Sequence, residues 1–247
     1  MAKLQFPKGF LWGASTAAHQ VEGDTHNQWS EWEVSHARLA SLEHDGLIQK
    51  YGRENFISGA AADHYRRYRD DFRLAHALGH NATRISIEWS RIKPEEGRFD
   101  DDAIAHYRDV IAAIRENGME PFVTLWHWTM PVWFTERGAF EKTLNIPYFI
   151  RFIEKMAGAL PEVRFWVTLN EPEIYSGWSY ALGLWPPQKK NIFTAIKVHR
   201  NLVGAHRAAY PAIKKILPDA QIGVAKPLTW FEAYRGRPWN RIMKTFA

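Results

Sequence analysis

The stretch WVTLNEP, residues 166–172, places Asn170 and Glu171 side by side at the end of an apolar, β-branched run. An amide offers both a donor and an acceptor to a hydroxyl group, and a carboxyl group beside it can move a proton. Proline at 172 disfavours helical backbone at Glu171, so the strand is expected to stay extended up to the carboxylate. A lone Glu-Pro at a strand end is more often a simple turn. Acid–base chemistry on a sugar also needs a second carboxylate facing the first.

Other residues fit a sugar cleft. The chain has 12 tryptophans in 247 residues, and several stand beside polar groups: Trp126 and Trp128 flank His127, and Trp29 and Trp32 lie in NQWSEWE. Indole is an uneconomical core filler because its N–H needs a partner. Flat rings next to hydrogen-bonding groups suit a pyranose, with its apolar C–H faces and its rim of hydroxyls. Each ring could equally be core; their clustering favours a cleft.

Composition excludes several other classes. The protein is 46% hydrophobic and 24% charged, as a globular protein is, and is long enough to bury a core without staples. It has no cysteine, so no disulfide and no thiolate chemistry, which is compatible with a reducing compartment. The opening MAKLQFPKGFLWGAS does not read as a secretory signal, and no apolar run reaches membrane-spanning length, so a cytoplasmic location is expected. The net charge of +5 raises nucleic acid, but the densest basic stretch, HYRRYRDDFR, interleaves acids at helical spacing and reads as a solvated face. No nucleic-acid or membrane partner is expected. The histidines show no paired spacing such as HExxH, so neither a metal nor a cofactor is implied.

The elements that must position these residues alternate in type. Strands are read at 10–15, 82–89, 120–126, 164–170 and 221–226, and helices at 60–79, 99–118, 147–160 and about 192–217, with a loop spanning roughly 20–58. Polar and aromatic residues gather after the strands. Such alternation builds a parallel sheet, with its site at the C-terminal strand ends. No GxGxxG follows the first strand and no GxxxxGK[ST] occurs, which argues against nucleotide-binding folds.

Four segments in series, PKGFLWGASTAAHQVEG, TRISIEWSRIKPEEG, FVTLWHWTMPVWF and WVTLNEP, resemble glycoside hydrolase family 1, the retaining β-glucosidases and β-galactosidases. The resemblance implies the first part of an eight-stranded (β/α) barrel, through about the fifth strand. It implies Glu171 as the general acid/base and Asn170 as the ligand of the sugar 2-hydroxyl. Gln20 and His127 match residues that hydrogen-bond the innermost sugar, and Trp128 follows His127 as in the family. Arg84 matches the arginine that keeps the nucleophilic carboxylate ionised. Thr129 stands where many members have Asp, and Gly138–Phe140 where Gly-Gly-Trp is common. Both departures bear on sugar preference.

The family's nucleophile lies in a Thr-Glu-Asn-Gly segment at the seventh strand. The Glu-Asn-Gly at 116–118 instead closes a helix, so the nucleophile is expected to be absent from this chain. Glu88, in register with Arg84, and Glu22 and Glu173, the latter expected on a loop, are the substitutes to weigh. The architecture expected is therefore a single domain over 1–247, a partial (β/α) barrel of five parallel strands with helices outside. Five strands leave two edges and an inner face uncovered. A separate chain carrying the C-terminal half, self-association, or the segment AKPLTWFEAYRGRPW (225–239) could cover them. Two functions follow: a β-glycosidase site awaiting its other half, or a catalytically silent subunit that binds a sugar or another small ligand, or serves assembly.

Overall fold

The computed structural model describes residues 5–228, 230 and 232–238. Five strands, β1 (Gly13–Ser15), β2 (Ala82–Ser86), β3 (Glu120–Thr124), β4 (Phe165–Asn170) and β5 (Gln221–Ala225), form one sheet in the order β1-β2-β3-β4-β5. Every pairing is parallel. The sheet does not close among the described residues, and β1 is exposed along its whole length. Gly13 is required there: a Cβ at this position would sit 2.1 Å from the carbonyl oxygen of Ala82 on β2.

The crossovers carry the helices that the spacing of apolar residues predicts. They are α1 (His64–Ala77), α2 (Asp101–Glu116), α3 (Ile146–Ala159) and α4 (Ile192–Ile216). Asp100 caps α2 by accepting from the Ala103 amide, and Asn191 caps α4 by accepting from that of Thr194. Pro147 sits in the first turn of α3, where its missing N–H costs nothing. Ile104, Ile111, Phe149, Phe152 and Val198 turn inward and meet Ile85, Val123, Leu125 and Trp166 from the sheet in one buried cluster.

The opposite face of the sheet is less covered. Arg84, Phe122, Phe165 and Gln221 are register partners across β2 to β5, and the first three are only half-buried. Phe122 and Phe165 stack, with ring centres 4.3 Å apart.

Two expectations change. Residues 20–58 are not a loop: short helices occupy Gln28–Glu33, His36–His44 and Leu47–Tyr51, the first two capped by Asn27 and Ser35. Of the proposed covering segment, Leu228, Trp230 and Tyr234 are largely exposed, while Thr229, Phe231 and Trp239 lie outside the described residues. Among the described residues, no helix is long and apolar enough to cross a membrane.

Candidate active site

The polar side chains converge at the C-terminal ends of β2, β3 and β4. Arg84 on β2 is half-buried and reaches across two strands. Its Nε donates to Thr124 Oγ1 on β3 at 2.7 Å, and Nη2 donates to Asn170 Oδ1 on β4 at 2.7 Å. Burial pulls the guanidinium below its ordinary value, while the charge of Glu171 acts in the opposite direction. With Oδ1 occupied by Arg84, the Asn170 amide nitrogen is left to donate. A register shift in the β4–β5 pairing between Val167 and Asn170 re-aims the strand end.

Glu171 departs from the sequence-based expectation. Its backbone is left-handed, at φ 45° and ψ 59°, rather than extended. Its amide donates to Ala225 O at 2.8 Å, and it begins the short helix Pro172–Ser176 without capping it by its side chain. A non-glycine residue held this way costs roughly 1–3 kcal/mol, and such strain clusters at functional sites. Trp128, at φ 74°, shares the feature. Its indole Nε1 donates to the Asn170 carbonyl at 3.0 Å, and its own carbonyl accepts from Gln28 Nε2 at 2.8 Å.

Gln20, His127 and Trp128 line one cleft of about 360 Å³, together with Trp29, Trp185 and Glu33. The tryptophans line it in contact: Trp185 lies 4.6 Å from Trp128 and 5.3 Å from Trp29, centre to centre. Gln20 is exposed on the turn Ala18–Val21, which is fixed where the Ala18 amide donates to Ser86 Oγ at 2.7 Å. Burial, with the Arg84 charge second, lowers the His127 imidazole to about 4, so it is neutral at pH 7. Its Nδ1 is buried without a partner among the described residues. Trp126, by contrast, is core: it is fully buried against Phe140 and Tyr175.

Of the substitute acids, Glu88 and Glu22 are fully engaged, whereas Glu173 Oε2 is buried without a partner among the described residues. Glu88 is buried, accepting from Ser90 Oγ at 2.9 Å and Thr129 Oγ1 at 2.8 Å. The strand ends at Ser86, so Glu88 caps the following turn instead of continuing the inward face. Glu22 is buried between Arg91 Nε, at 2.9 Å, and the Tyr107 hydroxyl, at 2.7 Å. Glu173 lies not on a loop but in the first turn of its helix, 3.5 Å from Lys226 Nζ. Glu116 closes α2.

Sequence reasoning missed Glu33, Gln28 and Trp185. Glu33 accepts from the Ser58 amide and hydroxyl at 2.8 and 2.7 Å and pairs with His19 at 3.0 Å. Burial works to raise its carboxyl group, but the His19 and Ser58 hydrogen bonds outweigh it and hold it below its ordinary value. Only Trp185 carried a signal, as an aromatic shortly after the Asn-Glu-Pro strand end.

A parallel β/α sheet with its polar side chains gathered at the C-terminal strand ends is the arrangement found in (β/α) barrels. The profile of Glycosyl hydrolase family 1 matches residues 2–242, and the chain belongs to that family. It is 32% identical over 232 residues to β-glucosidase A of Acetivibrio thermocellus, covering 93% of this chain and 50% of that protein. It is 33% identical over 228 residues to a 6-phospho-β-galactosidase of Lacticaseibacillus rhamnosus, covering 92% and 46%. The β-glycosidase structure from Pyrococcus horikoshii superposes with a TM-score of 0.78 at 34% identity, covering 98% of this chain and 54% of that one. The chain thus spans about half the length of the curated relatives it matches.

Proposed function

We propose that these residues form the acid/base side of a retaining β-glycosidase cleft, acting on β-glucosides or β-galactosides once a second carboxylate is supplied. The observation that carries the reading is the Arg84–Asn170–Trp128 network. It ties Asn170, next to the strained Glu171, to Trp128 on the wall of the cleft that Gln20 and His127 also line, although Arg84, Asn170 and Glu171 do not themselves line that cleft. In this reading Glu171 protonates the glycosidic oxygen and later takes a proton from water, as microscopic reversibility requires. The Asn170 amide nitrogen donates to the sugar 2-hydroxyl. Neutral His127 and Gln20 hold other hydroxyls, and Trp128 lies against the ring.

In this reading the nucleophile comes from strands outside these residues: Glu22, Glu33 and Glu88 are held in hydrogen bonds, and Glu173 lies in the first turn of its helix beside Lys226. Strands that supply it would also cover the open sheet. The same engagement of Glu22, Glu33 and Glu88 favours a second reading for the chain on its own, sugar binding without turnover.

Release of nitrophenol from an aryl β-glucoside, by the purified chain and by Glu171→Gln, tests both. Activity of the purified chain that the variant loses would show Glu171 acting as the acid/base, with the second carboxylate supplied from within this chain and not from outside it. Equal background in both, with the glucoside still bound, refutes turnover by this chain and leaves recognition.

A further inference from the structure

Gln28 is a partition. Its Nε2 donates to the Trp128 carbonyl on the sugar-cleft side, and its Oε1 accepts from the Met130 amide at 2.6 Å. On its other side lies a separate cavity of about 350 Å³, walled by the side chains of Trp32, Met130, Tyr175 and Pro186. It shares no lining residue with the sugar cleft. We propose that this cavity is a second ligand site, for an uncharged hydroxylated ring the size of one pyranose.

The volume fits one such ring at the small end of ordinary ligand pockets. Its walls are flat and apolar, suited to C–H faces. Its polar groups are mixed: the carboxylates of Glu31 and Glu141 accept, as does Thr135 Oγ1, whose proton goes to the Val132 carbonyl at 2.7 Å, while Ser35, Tyr175 and Tyr180 bring hydroxyls. Ligand hydroxyls, which both donate and accept, suit that mixture. The Trp32 ring lines the cavity, so its indole N–H signal reports on a ligand that enters beside it.

Charge weighs against the main competitors. Glu31, paired among the described residues only with the exposed His26 at 3.6 Å, disfavours an anionic ligand such as a sugar phosphate. A cation finds Glu141 already held by Lys189, whose Nζ lies 2.7 Å from both carboxylate oxygens. The two cavities touch through Gln28 and through Trp32, which meets Trp29 of the cleft edge-on at 5.4 Å. Occupancy of the second site does not depend on whether Glu171 turns over substrate.

The test is a titration of the ¹⁵N-labelled chain with methyl β-D-glucopyranoside, following the indole N–H signals, that of Trp32 being assigned through Trp32→Phe. The Trp32 signal should move with a midpoint that Gln20→Ala changes by less than about twofold and that Thr135→Phe, which fills the cavity, raises about tenfold or more. Should Thr135→Phe fail to fold, the Gln20→Ala comparison still decides. A Trp32 signal that stays fixed, or one whose midpoint follows Gln20→Ala, overturns the proposal. Failure of the sugar cleft alone would show differently: Trp29 and Trp128 would stay fixed while Trp32 moved.

Discussion

Replacing Glu22 with glutamine should make the protein's stability less dependent on pH. Glu22 is buried, and desolvation outweighs its Arg91 and Tyr107 partners, so its carboxyl group is raised from 4.5 to about 7. The folded protein therefore holds this proton more tightly than the unfolded chain does. The stabilisation is complete below pH 4.5 and is lost as pH rises through 7. At about 1.4 kcal/mol per pH unit, the interval corresponds to about 3 kcal/mol in all, of which about 2 to 3 kcal/mol falls between pH 5 and pH 8. Glutamine stays neutral throughout, so any constant effect of the amide cancels when the two proteins are compared across pH. Urea unfolding of both at pH 5, 6, 7 and 8 gives the profile. The variant should gain on the parent steadily as pH rises. Profiles parallel to within about 0.5 kcal/mol would show that Glu22 titrates alike in folded and unfolded chains, and the burial argument would be wrong.

Glu171→Gly should raise unfolding stability by up to about 1 kcal/mol, because glycine adopts φ 45° without strain; a lower urea midpoint would contradict this. His127 should titrate near 4 by NMR, so the protein loses stability as pH falls from 6.5 towards 4. A midpoint near 6.5 would deny its burial beside Arg84. Thr129→Val removes a 2.8 Å donor from buried Glu88 and should cost about 1.5–3 kcal/mol in denaturant unfolding. A cost near zero would mean that Glu88 does not depend on it.

All five strands and four main helices were legible because their apolar residues keep a period long enough to read. The helices between residues 28 and 51 were not. They are short, and their definition rests on the Asn27 and Ser35 caps more than on a repeating apolar face. Asn170 and Glu171 could be read as chemical residues, but the backbone at Glu171 could not. A following proline argues for extended geometry, and the Ala225 carbonyl that ties down the Glu171 amide lies on β5, far along the chain. Glu88 misled for a similar reason. Alternation carried it to the inward face, whereas the strand stops at Ser86 and the carboxylate turns to Ser90 and Thr129. Thr129, read as bearing on sugar preference, lines the cleft and also donates to buried Glu88. The cavity behind Gln28 had no sequence signature, since three separate segments build it.

The strand order also has a consequence for synthesis. Each strand pairs only with its neighbours in sequence, so the sheet can be assembled in the order in which the ribosome releases it. β2 meets β1 once it has followed α1 out of the exit tunnel, and no described strand waits for a distant one. The carboxylate of Glu171 takes its place late, when β5 emerges and the Ala225 carbonyl receives its amide. A nascent chain stalled before residue 221 would therefore carry the cleft lined by Gln20 and His127 without the hydrogen bond that ties down the backbone at Glu171.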